Sequence, residues 1–218
     1  MIKYSLTLCF SLFCLMLSAQ HHDSQAHFGV RLGLNNASNY GREYNERDKV
    51  TPFKNKLSFT GGIYVNSELT DHFWLKHEFM YVNKISNYDS SGQSLKVSQH
   101  YIDVYPLNAT FHIKGFQIFG GPAFSLFLAQ SREYIDSLQK IRASTDISDR
   151  NIFEIGYITG IEYEFPFGLN LGVRYIKQFT SLYQTEKNGP RVDIFSQNWL
   201  FTLGYSLGKT HKTFKMTE

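Results

Sequence analysis

The stretch IFEIGYITGIEYEFPFGLNLGVRYIKQF, residues Ile152 to Phe179, decides the fold because it reads as two strands joined by one tight turn. Residue types alternate along both arms, and a period of two places successive side chains on opposite faces of a strand. Pro166 and Gly168 reverse the chain between the arms, since proline presets φ and glycine accepts a positive φ. One face is almost wholly apolar, at Phe153, Ile155, Tyr157, Thr159, Ile161, Tyr163, Phe165, Leu169, Leu171, Val173 and Tyr175.

The other face of this hairpin is rich in glycine and carries charge in mid-strand, at Glu154, Glu162 and Arg174. A soluble sandwich would normally turn its apolar face inward and show water a mixed polar surface. A narrow polar interior with lipid outside fits better, as in a transmembrane β-barrel.

The same alternation predicts six more strands, at 28–36, 57–69, 73–83, 97–113, 116–128 and 197–207. The predicted fold class is therefore all-β, an eight-stranded antiparallel up-and-down transmembrane β-barrel. Pro106 interrupts the fourth strand, where we expect a bulge with a one-residue slip.

Three regions are predicted along the 218 residues: a secretory signal peptide at 1–19, the barrel at 20–208 and a polar tail at 209–218. The apolar run after Lys3 spans about 15 residues, short of the ~20 that a membrane-spanning helix needs. Cleavage would remove Cys9 and Cys14, so no disulfide or thiol chemistry would remain. It would also lower the formal charge from +3 to +2, which is too close to neutral to favour nucleic acid.

Long polar connections alternate with short ones in this reading, and the long ones are 39–56, 84–96, 129–150 and 180–196. Part of the third, Glu133 to Ala143, is predicted to form a helical turn or two. Bacterial outer-membrane barrels have short periplasmic turns and long outer loops. The four long loops are therefore the candidate surfaces for a protein partner.

The polar faces of the predicted strands define an interior charge cluster of Arg31, Lys76, Glu78, Asp103, Glu154, Glu162 and Arg174. Unpaired charges in a narrow interior are costly, so we expect Arg31 and Arg174 to pair with Glu78 and Glu162. A fixed polar plug and a conducting path both remain open. A girdle of aromatic residues at the membrane interfaces is predicted at Phe28, Trp74, Tyr81, Phe165, Tyr175, Trp199 and Tyr205.

The enzymatic alternative is the pair Ser98 and His100, which share a face two residues apart near the outer rim. Lipid deacylases of barrel fold use a Ser–His arrangement, but no orienting acid is identifiable here. His21, His22 and His27 lack the carboxylate or cysteine spacing of a metal site. We therefore expect no catalytic site, metal or cofactor.

Several different short motifs lie along the chain: FGVRLGLN from Phe28, EFMY from Glu78, YIDVYPL from Tyr101, FGGPA from Phe119, the stretch Gly156 to Glu164, and VRY from Val173. With them the chain resembles the porin-family outer-membrane β-barrel domain of Bacteroidota, a small barrel similar to OmpA and OmpX. The resemblance implies an integral protein of the bacterial outer membrane, in contact with outer-membrane lipid and inserted by the barrel-assembly machinery. The family includes PorT-like accessory proteins of type IX secretion and gliding.

These observations together lead us to expect a non-enzymatic, membrane-anchored scaffold or interaction protein. An outer-leaflet lipid-modifying enzyme, a narrow channel and a soluble periplasmic barrel are the alternatives.

Overall fold

A computed structural model describes residues 26–41, 53–90, 93–135, 140–144, 150–183 and 193–207. The predicted signal peptide and polar tail lie outside these residues. The strands are β1 (Ala26–Tyr40), β2 (Phe53–Glu68), β3 (Phe73–Ser90), β4 (Gln93–Ile113), β5 (Phe116–Ile135), β6 (Lys140–Ser144), β7 (Phe153–Glu164), β8 (Leu169–Gln178) and β9 (Phe195–Leu207). No helix in the described part of the chain is long and apolar enough to cross a membrane.

Eight of the strands close into a ring in which every neighbouring pair is antiparallel. Its order is β1, β2, β3, β4, β5, β7, β8 and β9, and β9 pairs back onto β1. The remaining strand, β6, lies outside the ring and, within the described residues, pairs with β5 alone. The predicted eight-stranded antiparallel barrel is thereby confirmed.

The barrel is apolar outside and polar inside. Along β9, residues alternate between buried and exposed over almost the whole strand, so that Phe201 and Leu203 are about half exposed while Thr202 and Gly204 are buried. The hairpin predicted at 152–179 shows the same alternation of exposed and buried side chains, with Ile161 60% exposed beside a buried Glu162. An outer wall of this composition matches lipid rather than water.

The two ends of the barrel differ. The turn end contains Ala26, Leu207 and the short connections 69–72, 114–115 and 165–168. Gly168 takes the positive φ of 91° that its turn requires. The other four connections join strand ends at the loop end, and their residues 42–52, 91–92, 136–139, 145–149 and 184–192 lie outside the described residues.

At the loop end the prediction of four long loops is partly wrong. Loop 84–96 is almost entirely strand, since β3 and β4 stay paired as far as Ser90 and Gln93. Residues 133–135 and 140–143 belong to β5 and β6 rather than to a helical turn. Beyond the membrane both faces of a strand meet water, so the alternation that marks a strand in the sequence disappears while the backbone pairing continues.

We call this extension the protruding sheet and define it as residues 53–56, 85–90, 93–98, 131–135 and 140–144.

The bulge predicted at Pro106 is confirmed. Lys76 pairs with Asn108 but Glu78 pairs with Tyr105, so the register shifts across Pro106. The carbonyl freed there meets Nδ1 of His77, a ring on the lipid-facing side of β3. The slip keeps Leu107 on the outer wall.

Candidate functional site

The centre of the lumen is a network of five charged side chains from four strands, and none of them is more than 3% exposed. We call it the central cluster: Arg31, Lys76, Glu78, Glu162 and Arg174. The Arg31 guanidinium bonds Glu78 at 2.7 Å and also Glu162. Arg174 bonds Glu78 and lies 3.0 Å from Glu162, which also accepts from Lys76.

Glycines give these long side chains their space. The cross-strand neighbours of Arg31 are Gly62 on β2 and Gly204 on β9. Glu162 lies opposite Gly172, and Arg174 opposite Gly160. The glycine-rich inner face seen in the sequence therefore accommodates large side chains from neighbouring strands.

The central cluster holds three cations and two carboxylates. Each carboxylate binds at least two of the cations, which satisfies charges that would be costly to bury alone. The surplus cation is stabilised by neutral groups: Lys76 donates to Gln117 at 2.8 Å and lies 5.0 Å from the centre of the Phe119 ring. Arg31 lies 4.4 Å from the centre of the Tyr64 ring.

The other two predicted interior residues, Asp103 and Glu154, form a second layer toward the loop end. Tyr105 donates to Asp103 at 2.9 Å, and Ser196 donates to Glu154 at 3.1 Å. Lys84 lies 3.6 Å from Glu154 and donates to Ser196 at 3.0 Å. The structure thus divides the seven predicted residues between two layers of the lumen.

Arg150 covers this second layer and was missed by the sequence analysis, because it precedes β7 in a segment predicted as loop. It is 4% exposed and donates to Gln130 at 3.0 Å, to Gln99 at 3.1 Å and to the Tyr101 hydroxyl at 2.6 Å. Its guanidinium also lies 4.6 Å from the centre of the Phe127 ring. The loop end of the lumen is therefore occupied by side chains.

Six of the seven predicted girdle residues lie on the outer wall or at its edge, and they fall into two groups. At the turn end Phe165 packs edge-on against Tyr163 with ring centres 4.9 Å apart, and Phe28 and Tyr205 are about half exposed. Farther toward the loop end Tyr175 and Trp199 lie 4.9 Å apart. Tyr81 also faces outward on β3.

The seventh girdle residue, Trp74, was predicted wrongly. It is 5% exposed, shares the inward face of β3 with Lys76, and stacks on His112 at 4.3 Å. Residue 74 falls on the inward side of the two-residue alternation along β3, and this position decides its environment although tryptophan is common at membrane interfaces.

Ser98 and His100 lie on one face of β4 as the spacing predicts, but no hydrogen bond joins them. Nδ1 of His100 lies 2.6 Å from the Tyr81 hydroxyl. Among the residues that the structure describes, no group of three or more His, Cys, Asp or Glu side chains is arranged to hold a metal ion.

The protruding sheet is the second candidate site. The β5–β7 pairing ends at Leu126 and Phe153, whereas β5 continues beside β4 and β6 to Ile135. Within the described ranges, β6 has a strand on one side only, namely β5. An edge strand of this kind can accept another strand.

Comparison with known proteins gives one family match: the outer membrane protein beta-barrel domain matches residues 18–184. No curated protein matches the chain. Among solved structures, Ail of Yersinia pestis is similar at 11% identity and a TM-score of 0.44, covering 85% of this chain and 99% of that one. Neisserial surface protein A has 15% identity and a TM-score of 0.48, covering 83% and 98%. OprG from Pseudomonas aeruginosa has 9% identity and a TM-score of 0.42, covering 84% and 96%.

Proposed function

Because the chain belongs to the outer membrane protein beta-barrel domain family, we propose that it is a non-enzymatic, membrane-anchored interaction protein whose protruding sheet binds a protein partner. It reaches the outer membrane after cleavage of residues 1–19 and is inserted there by the barrel-assembly machinery. An accessory subunit of a secretion or gliding machine is one concrete form of this role.

The observation that carries the proposal is the continuation of β3, β4 and β5 past the ring. The protruding sheet contains the last five residues of β5, Ser131 to Ile135, which corresponds to about 16 Å of strand at the usual rise per residue. Paired strands of this length present a rigid surface, and an extended segment of a partner can add to an open sheet edge.

The lumen supports an anchoring role rather than a conducting one. The central cluster joins β1, β3, β7 and β8 across the barrel, and Arg150 covers the layer above it. An eight-stranded barrel has room for little more than its own side chains. A narrow channel would need both layers to rearrange.

Site-specific photo-cross-linking in intact cells tests the proposal. A photoreactive amino acid replaces Ser98 or Ser131, which face each other on the protruding sheet. The matched control replaces Ile63, which is 59% exposed on the outer wall. We expect one discrete protein adduct from both sheet positions and none from Ile63.

Absence of protein adducts at both sheet positions, with normal barrel assembly, would contradict the proposal. Assembly is checked by the different gel mobilities of folded and unfolded barrel. A second test shortens the β3–β4 hairpin by replacing residues 85–98 with Asn-Gly, a sequence suited to a two-residue turn. This variant should assemble normally and lose the adduct from Ser131.

A further inference from the structure

The lipid-facing wall contains a groove of about 670 Å³. It runs between two rows of apolar side chains that cross the strands. One row contains Leu34, Phe201 and Val173, which are direct cross-strand neighbours on β1, β9 and β8. The second contains Leu32, Leu203 and Leu171 on the same three strands. The residues between the rows, among them Gly33 and Gly172, face the lumen and present only backbone to the groove.

The dimensions of the groove fit one hydrocarbon chain that follows the curve of the wall. It extends from Phe59 on β2 to Phe116 on β5, across six of the eight strands of the ring, which is about 24 Å measured around the wall at the usual interstrand spacing. Its two rows are two residues apart along each strand, or about 7 Å. An α-helix is at least ~10 Å wide with its side chains, so a partner's transmembrane helix would lie over the groove and not enter it.

The end of the groove at Phe116 lies two residues from an exposed lysine. The Phe116 ring packs edge-on against Tyr163 with centres 4.7 Å apart. Lys114, two residues before Phe116, is exposed in the 114–115 turn, and Gly115 of the same turn accepts from the Glu164 backbone at 2.8 Å. Among the described residues of the turn end, Lys114 is the one exposed lysine or arginine, and none of them forms an ion pair with it.

We propose that this groove binds one anionic phospholipid from the leaflet at the turn end. One acyl chain lies between the two apolar rows, and the phosphate meets Lys114. The groove then adds a specific lipid site to a wall that otherwise contacts lipid without preference. Lysine at a membrane surface attracts anionic headgroups, and its long side chain can reach the phosphate layer while the backbone stays at the rim.

Native mass spectrometry of the protein with phosphatidylglycerol in detergent tests the site. We expect a 1:1 adduct that persists when bulk lipid has been stripped. Val173→Trp should abolish it, because an indole on β8 would obstruct the middle of the groove yet remain compatible with lipid. Leu107→Trp, on β4 and outside the lining of the groove, is the matched control and should keep the adduct.

A second pair of variants tests the headgroup contact. Lys114 has a φ of 48°, a conformation that asparagine tolerates, so Lys114→Asn removes the charge without straining the turn. We expect it to weaken phosphatidylglycerol binding about fivefold, the equivalent of one lysine at a membrane surface. Lys56→Asn at the loop end should leave binding unchanged.

Three results would overturn the proposal. Equal adducts in wild type and Val173→Trp would mean that only non-specific surrounding lipid is retained. Equal binding by wild type and Lys114→Asn would remove the anionic headgroup from the site. A polypeptide displaced by Val173→Trp would make the groove a protein contact. Gel mobility confirms that each variant is folded.

Discussion

Replacing Glu162 by glutamine should be the most damaging single change of charge in the lumen. Glu162 contacts Arg31, Lys76 and Arg174, and its side chain is fully buried. The substitution leaves those three cations with Glu78 as the one carboxylate of the central cluster. Removing one partner of a buried ion pair costs about 3–5 kcal/mol. Since three contacts are lost and Lys76 retains Gln117, we expect about 4 kcal/mol.

Two comparisons separate this effect from a general loss of a carboxylate. Glu68→Gln makes the same chemical change at the rim, where the side chain is 33% exposed and its partner is His27. We expect it to cost less than about 1 kcal/mol. Adding Lys76→Met to Glu162→Gln should recover about half of the loss, because two cations then share Glu78.

The assay is equilibrium unfolding in urea, with the protein in phospholipid vesicles, followed by tryptophan fluorescence and by gel mobility. The reasoning is refuted if Glu162→Gln changes the free energy of unfolding by less than about 1 kcal/mol. It also fails if Glu68→Gln is equally destabilising, since burial would then not decide the cost.

Three further outcomes follow from the same structure. In single-tryptophan variants, brominated lipid should quench Trp199 on the outer wall strongly and Trp74 in the lumen hardly at all; equal quenching would contradict the placement of Trp74. Gly29→Ala should cost about 1–3 kcal/mol in urea unfolding, since its methyl would lie 2.1 Å from the Tyr64 ring. The matched Gly120→Ala, whose nearest contact would be at 3.4 Å, should cost little. Planar-bilayer recordings of the wild type should show no discrete conductance, and stable unitary steps would contradict a filled lumen.

The barrel itself could be predicted because the membrane imposes a two-residue alternation on each spanning strand. Phe201 faces the lipid and Thr202 faces the lumen, and their side chains are accordingly apolar and polar, so the sequence alone shows which way each residue points. The bulge at Pro106 was predictable for a similar reason. The outward apolar residues have even numbers before Pro106, as in Val104, and odd numbers after it, as in Leu107, so one extra residue must be accommodated between them. Face assignment alone also placed Arg31 and Glu162 inward, although it left their register open.

The protruding sheet could not be predicted in this way. Ile85, Ser86 and residues 95–98 are all partly exposed, without the alternation of the spanning strands, so their pattern resembles a loop although Ile85 and Ser98 are paired. Arg150 was missed because nothing in its neighbours marks an inward position, and its partners Gln99 and Gln130 come from other strands. The groove on the outer wall depends on which rows become adjacent on β1, β9 and β8, which only the register determines.

Cysteine labelling in intact cells tests the central claim most directly: that the barrel spans the outer membrane with its protruding sheet outside the cell. Ser131→Cys places a thiol on the protruding sheet, and Asp71→Cys places one in a turn at the opposite end of the barrel. The native residues at both positions are exposed. The reagent is a maleimide too large to cross the outer membrane. We expect Ser131→Cys to react in intact cells and Asp71→Cys to react only after the membrane is permeabilised. The reverse pattern, or equal labelling of both before permeabilisation, would contradict this arrangement.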